Sequence, residues 1–326
     1  MSITPIRGAD PRALAEAAAI LRRGGLVAFP TETVYGLGAD GLDAAAVARI
    51  FAAKGRPADN PLILHVGDLE QAIALTPRLS PLGRTLAAAF WPGPLTLVLP
   101  RGPGIPSIVT AGLDTVAVRV PDHPIALALL RAFGRPLAAP SANRSGRPSP
   151  TTAAHVLADF DGRIDMVIDG GPTTRGIEST VIDLADSSPI LLRQGALPRE
   201  AIEARIGPLR VLRADDEAAA ARSPGLRHRH YAPQARVVVV PADALAARAR
   251  QLQGQGKRVA AIVREAPVPA DVRGWRAPSD LEGYARELYA ALRGLDRRDV
   301  DVILAEAVPE VGIGRAIMDR LRRAAT

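Results

Sequence analysis

Residues 26–38 read LVAFPTETVYGLG, a short apolar run followed directly by a polar loop. The apolar run, residues 26–29, is typical of a buried strand, and Pro30 ends it. The loop carries three hydroxyl groups, the carboxylate of Glu32, and the glycines Gly36 and Gly38. Loops that leave strand ends are common ligand-binding positions, although a tight polar turn with both glycines at positive φ explains the same residues. Two glycines without a third are too few for a dinucleotide-binding fingerprint.

Helices and strands are predicted on both sides of this stretch. The first helix has Asp10 as its N-cap, Pro11 at its first position and an apolar face that Gly24 ends. Further helices are expected at residues 44–54, 69 onward, 79–90, 122–133, 151–159 and 198–205. Further strands are expected at residues 62–66, 95–99, 115–120, 137–139, 166–168, 180–184 and 190–193. Strands both alternate with helices and follow one another closely, which favours a mixed α/β sheet over a pure doubly wound one.

Three regions are expected along the 326 residues. Residues 1–208 form the large α/β domain, and residues 235–326 form a small α/β unit of Rossmann-like order. Residues 209–234 show little periodicity and contain a basic, proline-bounded stretch, which is the composition of a linker.

Composition limits the classes of function. The chain has no cysteine, which excludes disulfides, zinc–thiolate sites and thiol catalysis, and fits a reducing cytosol. Its N-terminus lacks the pattern of a signal peptide, and no apolar run approaches a membrane span. The net charge of +7 favours anionic partners such as nucleotides or nucleic acid, although an arginine-rich composition explains it equally well.

Scarce residue types draw attention to two segments. Of the two lysines in the chain, Lys54 lies at a helix end two residues before Arg56. The two asparagines are Asn60, in the same loop, and Asn143, in the run Pro140-Ser-Ala-Asn-Arg-Ser-Gly146 after a short strand. Two cations and amides on one rim suit a polyphosphate. Cations at a helix C-terminus and a self-capping asparagine loop are the simpler readings of the same residues.

Arginines on strands form a further set of candidates. Thr115 and Arg119 share one face of an otherwise apolar strand, where Arg119 requires an anion. Arg193 ends the strand that follows residues 176–180, and an arginine at a strand edge is commonly a solvated charge.

No P-loop, nucleophile elbow or zinc-protease motif occurs. His228 and His230 have no evident carboxylate partner, so no metal site is expected.

Taken together, these segments resemble the Sua5/YrdC/YciO family of threonylcarbamoyl-AMP synthases, in the longer two-domain Sua5 form. The resemblance rests on the PTETVYGLG loop, on Lys54 and Arg56 paired with Ser141 and Asn143, on the stretch SPGLRHRHYAP at 223–233, and on GIGRAIMDRL near the C-terminus. It implies a YrdC-like mixed twisted sheet with flanking helices, and a small Rossmann-like C-terminal domain.

The resemblance also implies site residues. Lys54, Arg56, Ser141 and Asn143 would be the catalytic tetrad. The L-threonine pocket would comprise Thr33, His65, Arg119, the backbone at Ala139, and Ser179. The nucleotide site would comprise Lys54, Arg56, Asn60, Thr115, Ser141, Asn143, Ser149, Arg193 and Tyr231.

The reaction that the resemblance implies joins L-threonine, bicarbonate and ATP into L-threonylcarbamoyladenylate and pyrophosphate, for modification of adenosine 37 in tRNA. ATP would be a substrate with Mg²⁺, without a tightly bound cofactor or a protein metal site. Expected partners are a downstream threonylcarbamoyl transferase complex and weakly bound tRNA, in the cytoplasm and away from membranes. Residues 209–234 would fold over the active site as a lid, although a passive tether fits the sequence.

Two alternatives stay open from the residues alone. A basic α/β domain could bind RNA without catalysis, which explains the charge but leaves the Lys54/Arg56 and Ser141/Asn143 pairing without a role. A related nucleotide-using or acyl-transfer enzyme of the same fold could take another small substrate, because a fold does not determine a function.

Overall fold

The computed structural model describes residues 3–186, 188–213, 215–225 and 230–325. The contacts divide the chain into two units. The first unit comprises residues 1–145, 150–174 and 178–227, and the second comprises residues 146–149, 175–177 and 228–326. Two short segments that lie between stretches of the first unit, residues 146–149 and 175–177, therefore belong to the second unit.

The first unit is built on a large mixed sheet. Its strands are β1 (Ile6–Gly8), β2 (Val27–Phe29), β3 (Gly36–Asp40), β4 (Ile63–His65), β5 (Leu95–Pro100), β6 (Thr115–Arg119), β7 (Leu137–Ala138), β8 (Met166–Asp169), β9 (Thr180–Asp183), β10 (Ile190–Arg193) and β11 (Arg210–Val211). In the described residues the strand order is β1-β8-β2-β3-β7-β4-β6-β5-β9-β10-β11. Parallel pairs such as β4 with β6 alternate with antiparallel pairs such as β5 with β6. The expected mixed sheet is confirmed.

Helices cover this sheet. They are α1 (Pro11–Arg22), α2 (Ala44–Lys54), α3 (Leu69–Ala74), α4 (Pro81–Phe90), α5 (Pro124–Phe133), α6 (Ala153–Phe160), α7 (Arg199–Ile206) and α8 (Glu217–Ala221). Asp10, Asp43 and Asp68 cap α1, α2 and α3 through their carboxylates, and the cap predicted at Asp10 is confirmed. Helices α1 and α5 pack with the apolar side chains of β2 and β8, while α2 and α4 contribute to the larger core that includes Leu64 and Val118. Apolar side chains from both faces are therefore buried, which explains the continuous apolar runs in the strands.

Strand β3 is a correction to the sequence reading, which treats residues 30–38 as a loop. Gly36 and Gly38 lie in β3, and neither has a positive φ. A Cβ atom at Gly38 would stand 2.9 Å from the ring of Phe29, which lies on the paired strand β2. Gly38 therefore allows close packing of an aromatic ring, and neither glycine forms a tight turn.

The second unit contains a parallel sheet with helices. Its elements are β12 (Arg236–Val240), α9 (Leu245–Gly254), β13 (Val259–Val263), β14 (Arg273–Arg276), α10 (Leu281–Leu295), β15 (Val302–Glu306) and α11 (Gly314–Ala325). Within the described residues the strand order is β12-β15-β13-β14, and each neighbouring pair is parallel. This is the small Rossmann-like unit that the sequence predicts.

The segment expected to be a linker contains more structure than its composition indicates. The strand β11 and the helix α8 lie within residues 209–225, and both are too short to give a periodic pattern. Residues 226–229, which include His228, lie outside the described residues. No described helix combines the length and apolarity that a bilayer crossing requires.

Candidate functional site

Arg119, at the end of β6, is the centre of a buried polar cluster. Its side chain is 4% exposed, and its Nη2 atom lies 2.6 Å from Glu32 Oε1. Its Nη1 donates to Thr33 Oγ1 at 2.9 Å, and its Nε donates to the carbonyl of Gly93 at 3.2 Å. The anion that the sequence requires for this arginine is thus supplied by Glu32. Sequence reasoning noted that carboxylate in the loop but did not name it as a site residue.

The loop after β2 holds Thr33 toward the arginine. Thr31 Oγ1 donates to the carbonyl of Val34 at 2.6 Å and accepts from the backbone N–H of Thr33 at 3.2 Å. The hydroxyls of Thr31 and Thr33 are 2.8 Å apart. This hydroxyl-closed turn is a local feature of the sequence Pro30-Thr31-Glu32-Thr33, and it fixes two polar side chains before any ligand arrives.

His65 lies opposite Arg119 on the neighbouring parallel strand β4. Burial, together with the positive charge of Arg119, lowers the pKa of His65 to about 3, so the imidazole is neutral near pH 7. Its ring meets the ring of Phe29 edge-on, with 6.3 Å between centroids. Its Nδ1 atom is buried and has no hydrogen-bond partner in the described part of the chain. A neutral imidazole in this position can exchange a hydrogen bond with a small polar substrate.

Ser179 is held from two directions just before β9. Its hydroxyl lies 2.7 Å from Thr96 Oγ1 and accepts a hydrogen bond of 3.2 Å from Arg193 Nη2. Arg193 also donates to the carbonyl of Ser179 at 3.0 Å. Arg193 is therefore a buried donor and not the solvated charge that its strand-edge position suggests. Sequence reasoning missed Thr96, although its position as the polar residue within the apolar strand β5 was a usable signal.

Lys54 brings the two halves of the expected tetrad together. It ends α2, is buried, and its Nζ donates to the main-chain carbonyls of Ser141 and Asn143. The next residue, Gly55, has φ of 59°, a left-handed conformation that turns the chain out of the helix. The ammonium group thus stands beside the loop after β7, where sequence spacing alone could not place it.

Arg56 and Asn60 organise the loop between α2 and β4. Arg56 donates from Nε to the carbonyl of Asn60 at 3.0 Å and from Nη2 to the carbonyl of Pro61 at 2.7 Å. The Asn60 side chain accepts a 3.0 Å hydrogen bond from the backbone N–H of Gly225. Arg193 Nη1 donates to the adjacent carbonyl of Pro224 at 3.0 Å. Residues 224 and 225 therefore connect the Lys54 side of the site to the Ser179 side.

The remaining predicted site residues are divided between the two units. Ala139 is buried, and its backbone N–H donates to the carbonyl of Ile63 at 3.0 Å. Thr115 opens β6 on the same face as Arg119 and is half-buried. Ser149 and Tyr231 belong to the second unit. Within that unit Tyr231 has φ of 64°, stacks on Tyr289 and lies 5.0 Å below the guanidinium of Arg320.

The site therefore has two chemically distinct parts. One combines a guanidinium, a carboxylate, a neutral imidazole and fixed hydroxyls, which suits a small polar molecule bearing both charges. The other combines Lys54, Arg56 and Asn60 with the loop of Ser141 and Asn143, which suits phosphate groups. Among the described residues, no three carboxylate or imidazole side chains gather closely enough to hold a metal ion.

Comparison with known proteins matches both units. A model of the Sua5, YciO and YrdC proteins, described as telomere recombination, matches residues 19–195, and a threonylcarbamoyl-AMP synthase C-terminal domain model matches residues 197–326. The threonylcarbamoyl-AMP synthase of Pyrococcus abyssi is 52% identical over 316 residues, covering 94% of this chain and 92% of that protein. The corresponding protein of Bacillus subtilis is 48% identical over 324 residues, covering 97% and 93%. The crystal structure of P. abyssi Sua5 complexed with L-threonine superposes with a TM-score of 0.93 at 48% identity, covering 100% of this chain and 97% of that one.

Proposed function

The chain belongs to the family of threonylcarbamoyl-AMP synthases, and we propose that it joins L-threonine, bicarbonate and ATP into L-threonylcarbamoyladenylate with release of pyrophosphate. L-threonine and ATP are its substrates, and bicarbonate is the one-carbon source that the product requires. The observation that carries the proposal is the contact of Lys54 with the loop of Ser141 and Asn143, together with the buried polar cluster around Arg119.

The pocket around Arg119 is proposed to bind L-threonine. Arg119 would hold the substrate carboxylate, because a guanidinium offers paired donors to a carboxylate. Thr33, His65 and Ser179 would contact the hydroxyl and the amine, and the backbone at Ala139 would close the pocket. The hydroxyl of Ser179, held by Thr96, and the neutral ring of His65 support this role, because both can exchange hydrogen bonds with a small polar ligand.

The nucleotide is proposed to bind along the Lys54 side. Lys54 and Arg56 would neutralise the phosphates, and Mg²⁺ would enter with them as part of the substrate. The other residues proposed to contact ATP are Asn60, Thr115, Ser141, Asn143, Ser149, Arg193 and Tyr231. Buried Lys54 supports this assignment, because a charged side chain held away from water by main-chain carbonyls is positioned before the phosphates arrive.

The mechanism that fits these residue types needs no covalent intermediate on the protein. The threonine ammonium first loses a proton to solvent. The free amine then attacks the carbon of CO₂, with loss of a second proton, or of bicarbonate, with loss of water, to give a carbamate. A carbamate oxygen then attacks the α-phosphorus of ATP, and pyrophosphate leaves. The protein contributes orientation and charge neutralisation, which together account for most of the catalysis in phosphoryl and nucleotidyl transfer.

Residues 223–234 are proposed to act as a lid that protects the carbamate and the adenylate from water. The hydrogen bonds of Arg193 to Pro224 and of Asn60 to Gly225 support this role, because the segment begins on two residues assigned to the nucleotide. The product is proposed to pass to a threonylcarbamoyl transferase complex that modifies adenosine 37 of tRNA in the cytoplasm. Weak tRNA binding would follow from the net charge of +7.

Pyrophosphate release measures the proposed activity directly. We expect release from ATP that depends on both L-threonine and bicarbonate in the wild type. Lys54→Ala should lower it by about 100-fold or more, because one preorganised charge on the transferring group is lost. Lys54→Arg should fail to restore it, since the pocket fits a compact ammonium between two carbonyls.

The second lysine of the chain supplies the matched control. Lys257 is exposed in the second unit, so Lys257→Ala should keep wild-type activity. Thermal unfolding of each variant separates lost chemistry from lost structure. Folded wild-type protein that releases no threonine-dependent pyrophosphate, but binds tRNA with strong salt dependence, would instead favour the RNA-binding alternative.

A further inference from the structure

Glu32 is a buried carboxylate to which the proposed function gives no role. Its side chain is 5% exposed, and neither of its carboxylate oxygens accepts a hydrogen bond from the described residues. An ionised carboxylate has room for about four hydrogen bonds, and burying it without them is costly. The geometry of this side chain therefore points to a donor beyond the contacts that the folded chain supplies.

The cation beside Glu32 meets this need only in part. Arg119 Nη2 is 2.6 Å from Glu32 Oε1, but this contact is an ion pair without hydrogen-bond alignment. The Nε and Nη1 atoms of Arg119 are directed to Gly93 and Thr33. His123 also faces Glu32 and is half-buried, and burial lowers its pKa although the charges of Glu32 and Asp122 act to raise it. Glu32 thus keeps open acceptor positions.

The charges of the pocket match those of an amino acid. Arg119 contributes one positive charge and Glu32 one negative charge at contact distance, while His65 is neutral near pH 7. A zwitterionic amino acid carries a carboxylate and an ammonium on the same carbon atom. A carboxylate bound at Arg119 would face the charge of Glu32 and be repelled, unless an ammonium group lies between them.

We propose that Glu32 binds the α-ammonium group of the amino-acid substrate while Arg119 binds its carboxylate. The inference rests on the proposed function, which places the substrate carboxylate at Arg119. Glu32 then holds the nitrogen atom that, after losing a proton to solvent, forms the new bond to carbon. The contact predicts that the site takes an α-amino acid in preference to a hydroxy acid of the same shape.

Two ligands separate this role from a structural one. L-threonine carries the ammonium, whereas (R)-3-hydroxybutyrate has the same carboxylate and hydroxyl without it. We expect Glu32→Gln to weaken L-threonine binding by about tenfold or more, because a charged acceptor is replaced by a neutral one. Binding of (R)-3-hydroxybutyrate should change less than about twofold, a small free-energy change. Calorimetry or ligand-detected NMR at pH 7 gives both dissociation constants.

Three other results would overturn the proposal. If both ligands weaken equally, Glu32 acts only by positioning Arg119. If both bind more tightly, Glu32 competes with the substrate carboxylate. If neither changes, Glu32 contacts no part of the substrate. Asp122→Asn is the matched control, because it removes an exposed carboxylate from the same neighbourhood and should alter neither ligand.

Folding and the wider function are checked separately. Glu32→Asp keeps the charge on a shorter side chain and should retain part of the preference for L-threonine if Glu32→Gln does not fold. Loss of that preference in folded Glu32→Asp, with (R)-3-hydroxybutyrate binding unchanged from wild type, would contradict the proposed contact. A wild-type protein that binds ATP but not L-threonine would contradict the proposed function itself, whatever Glu32 does.

Discussion

Buried charges at single residues determine the chemistry of this site. Lys54, Arg119 and Arg193 are buried, and each donates to carbonyl or hydroxyl oxygens of loops that leave the strands. Burying a charge without such partners is prohibitively costly, so each side chain also fixes the loop that it contacts. The same groups that would bind substrate therefore hold the site together.

His65 provides a test at this scale through the pH dependence of stability. Its pKa is about 3 in the folded protein and near 6.5 in an unfolded chain, so below pH 6.5 the unfolded state binds a proton that the folded state does not. The contribution of neutral His65 to the free energy of unfolding is therefore fully present above about pH 6.5. It is lost progressively as the pH is lowered toward 3. Between pH 7 and pH 5 this residue should lower the free energy of unfolding by about 2 kcal/mol.

The comparison that isolates this effect uses His65→Asn, which removes the titrating group. Urea unfolding at pH 7 and pH 5 gives the decrease in the free energy of unfolding for the wild type and for the variant. The wild type should lose about 2 kcal/mol more than the variant over this interval. Equal losses would mean that His65 titrates in the folded protein as it does in an unfolded chain.

At the scale of elements, the ends of strands and helices carry the polar contacts. Glu306, the last residue of β15, is almost fully buried and accepts hydrogen bonds from the backbone N–H groups of residues 264, 265 and 266 after β13. One carboxylate thus joins two neighbouring parallel strands at their C-terminal ends. Glu306 therefore has a structural role in the second unit. The hydrophobic periodicity of the sequence does not predict this role.

Glu306→Gln should destabilise the second unit by about 3 kcal/mol, because a neutral side chain replaces a charged acceptor of several backbone donors. Fluorescence of Trp275 on β14 would follow urea unfolding of this unit, in a background with Trp91 replaced by Phe. The exposed Glu282, in the first turn of α10, offers a control, since Glu282→Gln should cost much less. Similar losses for the two variants would contradict the role given to Glu306.

At the scale of the whole molecule, the role of residues 223–234 is the open functional prediction. Deleting these residues should abolish threonine-dependent pyrophosphate release if they form a lid, because the carbamate would meet water. Replacing them with a glycine–serine segment of equal length should have the same effect, since a tether of the right length lacks the specific side chains. Wild-type activity in the replaced protein would show that the segment is only a connection.

Much of the molecule follows from local sequence. Aspartates before helices, apolar runs in strands and glycines after helices predict α1, α2, α10 and most strands of both sheets, because these signals act within a few residues. The motif residues Lys54, Arg56, Ser141 and Asn143 are also recognisable in the sequence, because their spacing is a property of the chain. These features establish the fold class and the family.

Tertiary structure alone decides which of these groups meet. Thr33 and Arg119 are 86 residues apart, Thr96 and Ser179 are 83 apart, and Asn60 and Gly225 are 165 apart. Strand β3 was read as a loop because glycines are typical of turns, whereas Gly38 is required here by the ring of Phe29 on a neighbouring strand. Glu32 was not recognised as a site residue because its importance depends on a buried arginine that only the folded sheet brings within 2.6 Å. Sequence periodicity indicates whether each residue is buried or exposed in its own helix or strand. A binding site depends instead on distances between residues that are far apart in the sequence, and only the folded structure determines these.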